Sequence, residues 1–204
     1  MLGEILGILQ PACARVINLD SAGNKPSFQH QLDLALESEH GTIYFAEDDY
    51  LYRPEAFLEI SALAEAPVFW THYDHPDRYI RSDNRDNNSP RVFVWDNWHW
   101  RTAESTCMTF GGPKHLFVET QDILREHGCT GRGMWYPIID AGYELWSPIP
   151  SLATHLENGY LAMCVDWQEV LRSALNTGLG YSPTMWLPFE ELSNELMERL
   201  ERWR

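Results

Sequence analysis

The stretch Thr42-Ile43-Tyr44-Phe45-Ala46-Glu47-Asp48-Asp49, continued by Tyr50-Leu51-Tyr52-Arg53-Pro54, decides how the rest of the chain is read. Thr42 to Ala46 is β-branched, aromatic or small throughout, with no polar alternation, which describes a buried strand; three consecutive carboxylates then stop it. Upstream, Phe28, Leu32, Leu34, Ala35 and Leu36 mark a helix that ends near His40-Gly41, and Ala14 to Leu19 reads as a short strand before it. Downstream, Pro54 opens a helix with Ala56, Phe57, Ile60, Leu63 and Ala64 at its apolar positions. Pro67 ends that helix, and Val68 to Trp70 begins a further strand. Strand, helix, strand, helix, strand at this spacing predicts βαβ units, hence an α/β domain with a mixed, mostly parallel sheet flanked by helices.

Further out the pattern is less regular. Residues 2–10 carry helical spacing before Pro11, and Asp74 to Ser89 is a polar loop. Strands are predicted at Arg91 to Trp95, Ala103 to Phe110 and Tyr143 to Trp146, and helices at Pro113 to His127 and Gly131 to Ala141. From Pro188 to Arg204, Phe189, Leu192, Leu196, Leu200 and Trp203 share one helical face, so the chain divides into a domain over 1–187 and a terminal amphipathic helix that packs on it or on a partner.

Composition narrows the function. With 204 residues, 44% of them hydrophobic, the chain is long enough to bury a substantial core, and it is neither disordered nor a coiled coil. Thirty acidic against fifteen basic side chains leave a net charge of −15, which argues against nucleic acid as a partner and allows at most peripheral membrane contact. The four cysteines are widely spaced and read as core thiols, in keeping with a cytoplasmic location.

Ligands of open α/β sheets bind beyond the carboxyl ends of strands, where Glu47-Asp48-Asp49 stands. Three adjacent carboxylates repel one another unless a cation neutralises them, and a hard divalent ion with oxygen ligands suits that need. A second tract, Pro150-Ser151-Leu152-Ala153-Thr154-His155, follows the last predicted strand and offers an imidazole to Mn²⁺ beside carboxylates.

These two tracts carry a resemblance. The chain resembles the metal-dependent nucleotide-sugar glycosyltransferases of the GT-A fold, particularly bacterial family-2-like members, over roughly residues 12–165. Glu47-Asp48-Asp49 is similar to their D-x-D type motif, Pro150 to His155 to their late Pro-Ser-Leu-x-x-His segment, and Gly23-Asn24 to the loop two elements before the D-x-D motif. The resemblance implies a nucleotide-diphosphate sugar donor held through Mn²⁺ or Mg²⁺, with Asp49 and His155 on the metal, Glu47 or Asp48 toward the ribose or sugar, and a saccharide hydroxyl as acceptor. It also implies that the GT-A unit is N-terminally truncated, since Met1 falls inside what would be the family's first helix, and that an exposed sheet edge could favour a homo-oligomer or a larger biosynthetic complex. A non-catalytic carbohydrate-binding or complex-forming remnant of such an enzyme is the alternative.

No motif supplies the general base, because Gly131-Arg132-Gly133 stands where many inverting members place an acidic pair. Glu104, close after the aromatic tract Trp95 to Trp100, is the first candidate, and Asp140, in the last turn of a helix, the second. His72, Asp74, His75 and Asp77 emerge from the strand Val68 to Trp70 and read as a donor-site or acceptor-site loop.

Overall fold

The computed structural model describes residues 17–20, 23–64, 66–80, 90–157 and 159–178. The helix read at 2–10, the first half of the strand at 14–19, the end of the polar loop and the amphipathic tail at 188–204 lie outside them. Residues 17–19 form no strand.

Helix α1 spans Asn24–Glu37 and leads to β1, Thr42–Phe45. A short strand β2, Tyr50–Tyr52, separates the acidic triplet from α2, Glu55–Leu63. Then come β3, Phe69–Trp70, and the single-turn α3, Asp77–Ile80. The hairpin of β4, Val92–Trp95, and β5, Trp98–Ala103, turns through Asp96, whose φ is 51°. Strand β6, Phe110–Pro113, is followed by α4, Lys114–Glu119, α5, Gln121–His127, and α6, Arg132–Asp140. Strands β7, Leu145–Ile149, and β8, Ala153–His155, precede α7, Trp167–Gly178.

Six strands form one sheet in the order β1-β6-β3-β7-β5-β4, and β2 pairs with β8 in a separate ribbon. The mostly parallel sheet read from the sequence is corrected here: of the five neighbour pairs only β3 with β7 is parallel. Only the second predicted βαβ unit keeps its strand directions, since no strand precedes α1 among the described residues. Strands β1 and β3 are both antiparallel to β6 and so run the same way, as does β7. They are not all neighbours because β6 inserts between β1 and β3.

Glycine makes that insertion possible. Gly111 of β6 is paired with Tyr44 on one side and Trp70 on the other, and those two rings stack across it with centroids 5.3 Å apart and planes 16° from parallel. A Cβ at Gly111 would meet the Trp70 ring at 2.4 Å.

Strand alternation then sorts the core into two layers. Phe45, Phe69, Phe110 and Leu145 face α1 and α4 to α6, packing on Phe28, Phe117 and Trp135. Trp70, Trp100 and Trp146 face the opposite way and pack with Ala56 and Leu63 of α2. Both faces are covered, as an α/β sheet requires.

Behind β3 a buried ion pair locks three strands. Arg78 lies 3.0 Å from Asp74 and also donates to the carbonyl of Tyr73, to Ser147 and to the carbonyl of Ser105. No helix among the described residues is long and apolar enough to cross a membrane.

Candidate functional site

Strand β1 delivers its last residues to the carboxyl edge of the sheet, and the triplet diverges there. Glu47 turns inward: its carboxylate accepts a hydrogen bond from the backbone N–H of Met108 at 3.1 Å, and its own N–H donates to Thr109 Oγ1 at 3.1 Å. Burial, and then the charge of Asp49, raise its pKa above the ordinary carboxylate value, against the opposing pull of the Met108 N–H, His155 and Thr109. Asp48 is exposed, and with Asp49 it forms the turn into β2.

The β2–β8 ribbon brings the second tract to the first. Its register sets Tyr50 opposite His155, and the N–H of Leu156 donates to the carbonyl of Asp49 at 2.8 Å. His155 Nε2 thereby stands 3.3 Å from Asp49 Oδ2. Asp49 Oδ1 and His155 Nδ1 are buried without hydrogen-bond partners among the described residues, with Glu157 3.9 Å from the latter nitrogen. Tyr50 and Tyr160 both pack on the imidazole, with centroids 5.2 and 5.7 Å away. Tyr160 is itself fixed, its carbonyl accepting the Tyr73 hydroxyl at 2.5 Å.

The triplet opens onto a cleft of about 420 Å³ whose other walls are the first turn of α1, at Asn24 and Ser27, and Met108 and Cys129. Gly23, at φ 118°, caps α1 without a side-chain hydrogen bond. The cleft thus sets acidic side chains opposite a helix N-terminus, an end that favours anions.

Among the described residues no group of three or more His, Cys, Asp or Glu side chains is gathered into a metal cage. Asp49 and His155 form a two-residue donor set instead. Such a set would fit a divalent ion that takes its remaining ligands from phosphate oxygens and water, through the facing Asp49 Oδ2 and His155 Nε2.

The other sequence candidates lie elsewhere. Glu104 follows the end of β5 rather than sitting within a strand; it is buried, and Arg132 Nε donates to it at 3.3 Å. Asp140 is exposed at the last residue of α6, and neither it nor Glu104 lines the cleft. His72 is fully buried, with Nδ1 3.0 Å from the Tyr44 hydroxyl, and burial pushes its pKa down to about 3. Asp74 is committed to Arg78. In the aromatic tract Trp100 is core, Trp95 donates to the carbonyl of Ala62 and Trp98 to that of Pro150. His75 and Asp77 do form a pair, 2.8 Å apart.

Thr109, Met108 and Tyr160 shape the site without having been singled out in the sequence. Arg132 was noted there only as a departure from a family pattern, yet it contacts both Glu104 and, at 2.5 Å, Asp77. The chain matches no family model, no curated protein and no solved structure.

Proposed function

We propose that this chain is a metal-dependent glycosyltransferase of GT-A-like architecture, moving a sugar from a nucleoside-diphosphate donor to a saccharide hydroxyl. The observation that carries the reading is the meeting of Asp49 and His155, 106 positions apart by their numbers, at 3.3 Å, where Asp49 also lines a cleft at the carboxyl edge of β1. Asp49 and His155 would hold Mn²⁺ or Mg²⁺, which when bound places positive charge beside the leaving diphosphate. Asp48, exposed in the cleft wall, would accept hydrogen bonds from ribose or sugar hydroxyls, while Glu47 fixes the turn through Met108 and Thr109. The first turn of α1 supplies backbone N–H groups across the cleft, which favours a diphosphate further.

Titration calorimetry with UDP and GDP tests the reading. In Mn²⁺ at least one should bind, and excess chelator should abolish that binding. Asp49→Asn and His155→Ala should each weaken it by about tenfold or more, the scale of losing one of few metal ligands. Equal affinity in chelator, or no binding of either nucleotide in Mn²⁺, would overturn it.

A further inference from the structure

Beyond the triplet and His155, a second set of titratable side chains converges at the carboxyl end of β3. His75 Nδ1 lies 2.8 Å from the Asp77 carboxylate and 3.1 Å from the Asp77 backbone N. The Asp77 N–H points at Nδ1 as though to an acceptor, but the shorter, charge-assisted contact with the carboxylate outweighs it, placing the proton on Nδ1 and the lone pair on Nε2. No described residue hydrogen-bonds to that Nε2, and the side chain retains 17% exposure, so the ring is held at one nitrogen and open at the other.

Asp77 is in turn clamped by Arg132 at 2.5 Å. Burial opposes its ionisation, but the hydrogen bond from His75, the His75 charge and Arg132 together bring its pKa down to about 2, so it remains a carboxylate. The ring rests between Tyr73, at 5.1 Å, and Tyr160, at 5.6 Å. Tyr160 is the same ring that packs on His155, so the His–Asp pair and the Asp49–His155 pair share one tyrosine as neighbour.

Glu104 fits the role of base less well. Its carboxylate is buried and already engaged by the Arg132 guanidinium at 3.3 Å, which leaves it closed to an acceptor hydroxyl.

We infer that His75 is the general base of the transfer, oriented by Asp77, and that the reaction is therefore a single displacement with inversion at the anomeric carbon. This inference rests on the glycosyltransferase reading above. In the step, Nε2 takes the proton of the acceptor hydroxyl as that oxygen bonds to the anomeric carbon. The bond from that carbon to the diphosphate oxygen breaks, and the nucleoside diphosphate leaves with the electron pair. Asp77 stabilises the resulting imidazolium and acts as a positioning residue.

The experiment uses the full chain in Mn²⁺ with UDP-glucose, UDP-N-acetylglucosamine, GDP-mannose and dTDP-glucose. Release of nucleoside diphosphate to water or to added saccharide is followed for wild type, His75→Gly, His75→Asn and Asp77→Asn. UDP and GDP binding serves as the check on folding and on the donor site. Both His75 variants should bind nucleotide like wild type and release it about 100-fold more slowly, and free imidazole should restore about tenfold to His75→Gly. Asp77→Asn should lower kcat about tenfold with the donor KM unchanged. The sugar released or transferred should first appear with the anomeric configuration opposite to the donor's.

Absence of nucleotide binding by wild type overturns both the function and this base. Binding without turnover of any donor, retention of configuration, or His75 variants within about threefold of wild type overturns the base alone, on the scale general-base removal should produce. Loss of rate in step with loss of nucleotide binding shows His75 to be structural and overturns it as well.

Discussion

His72 makes the chain's stability depend on pH. Its imidazole is wholly buried among Tyr44, Tyr52 and Trp70, and its Nε2 has no hydrogen-bond partner among the described residues. Burial lowers its pKa to about 3, whereas in the unfolded chain the ring protonates near pH 6.5. Between those values the unfolded state binds one proton more, so stability is complete above about pH 6.5 and falls as the pH falls toward 3. From pH 7 to 5.5 this group should remove about 1 kcal/mol, read from urea unfolding at the two pH values. His72→Gln should show a correspondingly shallower loss over the same interval, and parallel losses in both proteins would show that the folded state protonates the ring. The residues of the candidate site differ in how legible they were. Glu47 to Asp49 and His155 each announce themselves within a few positions of sequence. Thr109 reaches Glu47 across 62 positions, and Tyr73 reaches Tyr160 across 87, so their roles follow only from the fold.

Among the elements, β6 shows most clearly what a local pattern conceals. Phe-Gly-Gly-Pro reads as a turn, because two glycines erase the β-propensity signal, and the predicted strand Ala103 to Phe110 stopped where the real one starts. Gly111 is needed because Tyr44 and Trp70 stack over it from the two flanking strands, an arrangement no single stretch encodes. An alanine methyl would come to 2.4 Å from the Trp70 ring and 2.8 Å from the carbonyl oxygen of Ile43, and neither neighbour is the free end of a flexible chain. Gly111→Ala should therefore cost about 3 kcal/mol, the upper range of core overpacking. Gly112→Ala, whose methyl would meet Phe69 at 3.1 Å and the Val68 carbonyl oxygen at 3.4 Å, should cost clearly less, and equal urea midpoints for the two variants would refute the stacking account. The elements β1 and α2 stand where the sequence predicts them, although Phe57, read on the apolar face of α2, is 60% exposed. The single helix read at Pro113 to His127 divides at Thr120, whose hydroxyl donates to the Leu116 carbonyl at 2.7 Å and competes with the helical ladder. Helix α7 went unread, although Asp166 accepts the N–H of Glu169 at 3.0 Å in the manner of an N-cap and the pair has capping-box spacing.

On the scale of the whole molecule the dominant quantity is charge. A chain with 30 acidic and 15 basic side chains surrounds itself with a negative potential, which the proposed nucleoside diphosphate would cross to reach the cleft. The attraction proposed at the end of that path is short-ranged, centred on a cation between Asp49 and His155 and on the first turn of α1. Salt acts unequally on the two fields. Raising the ionic strength from about 20 mM to about 200 mM shortens the Debye length from about 20 Å to about 7 Å, which removes most of the long-range repulsion and leaves contacts at hydrogen-bond distance largely intact. Association of a fluorescent UDP or GDP analogue in saturating Mn²⁺ should therefore accelerate with salt, the reverse of electrostatically steered binding, while dissociation changes little. Stopped-flow traces at several salt concentrations measure both rates. An association rate that falls as salt is added would mean that the approach to the cleft is positive, and that the molecule's net charge of −15 is arranged away from the anion's path rather than across it.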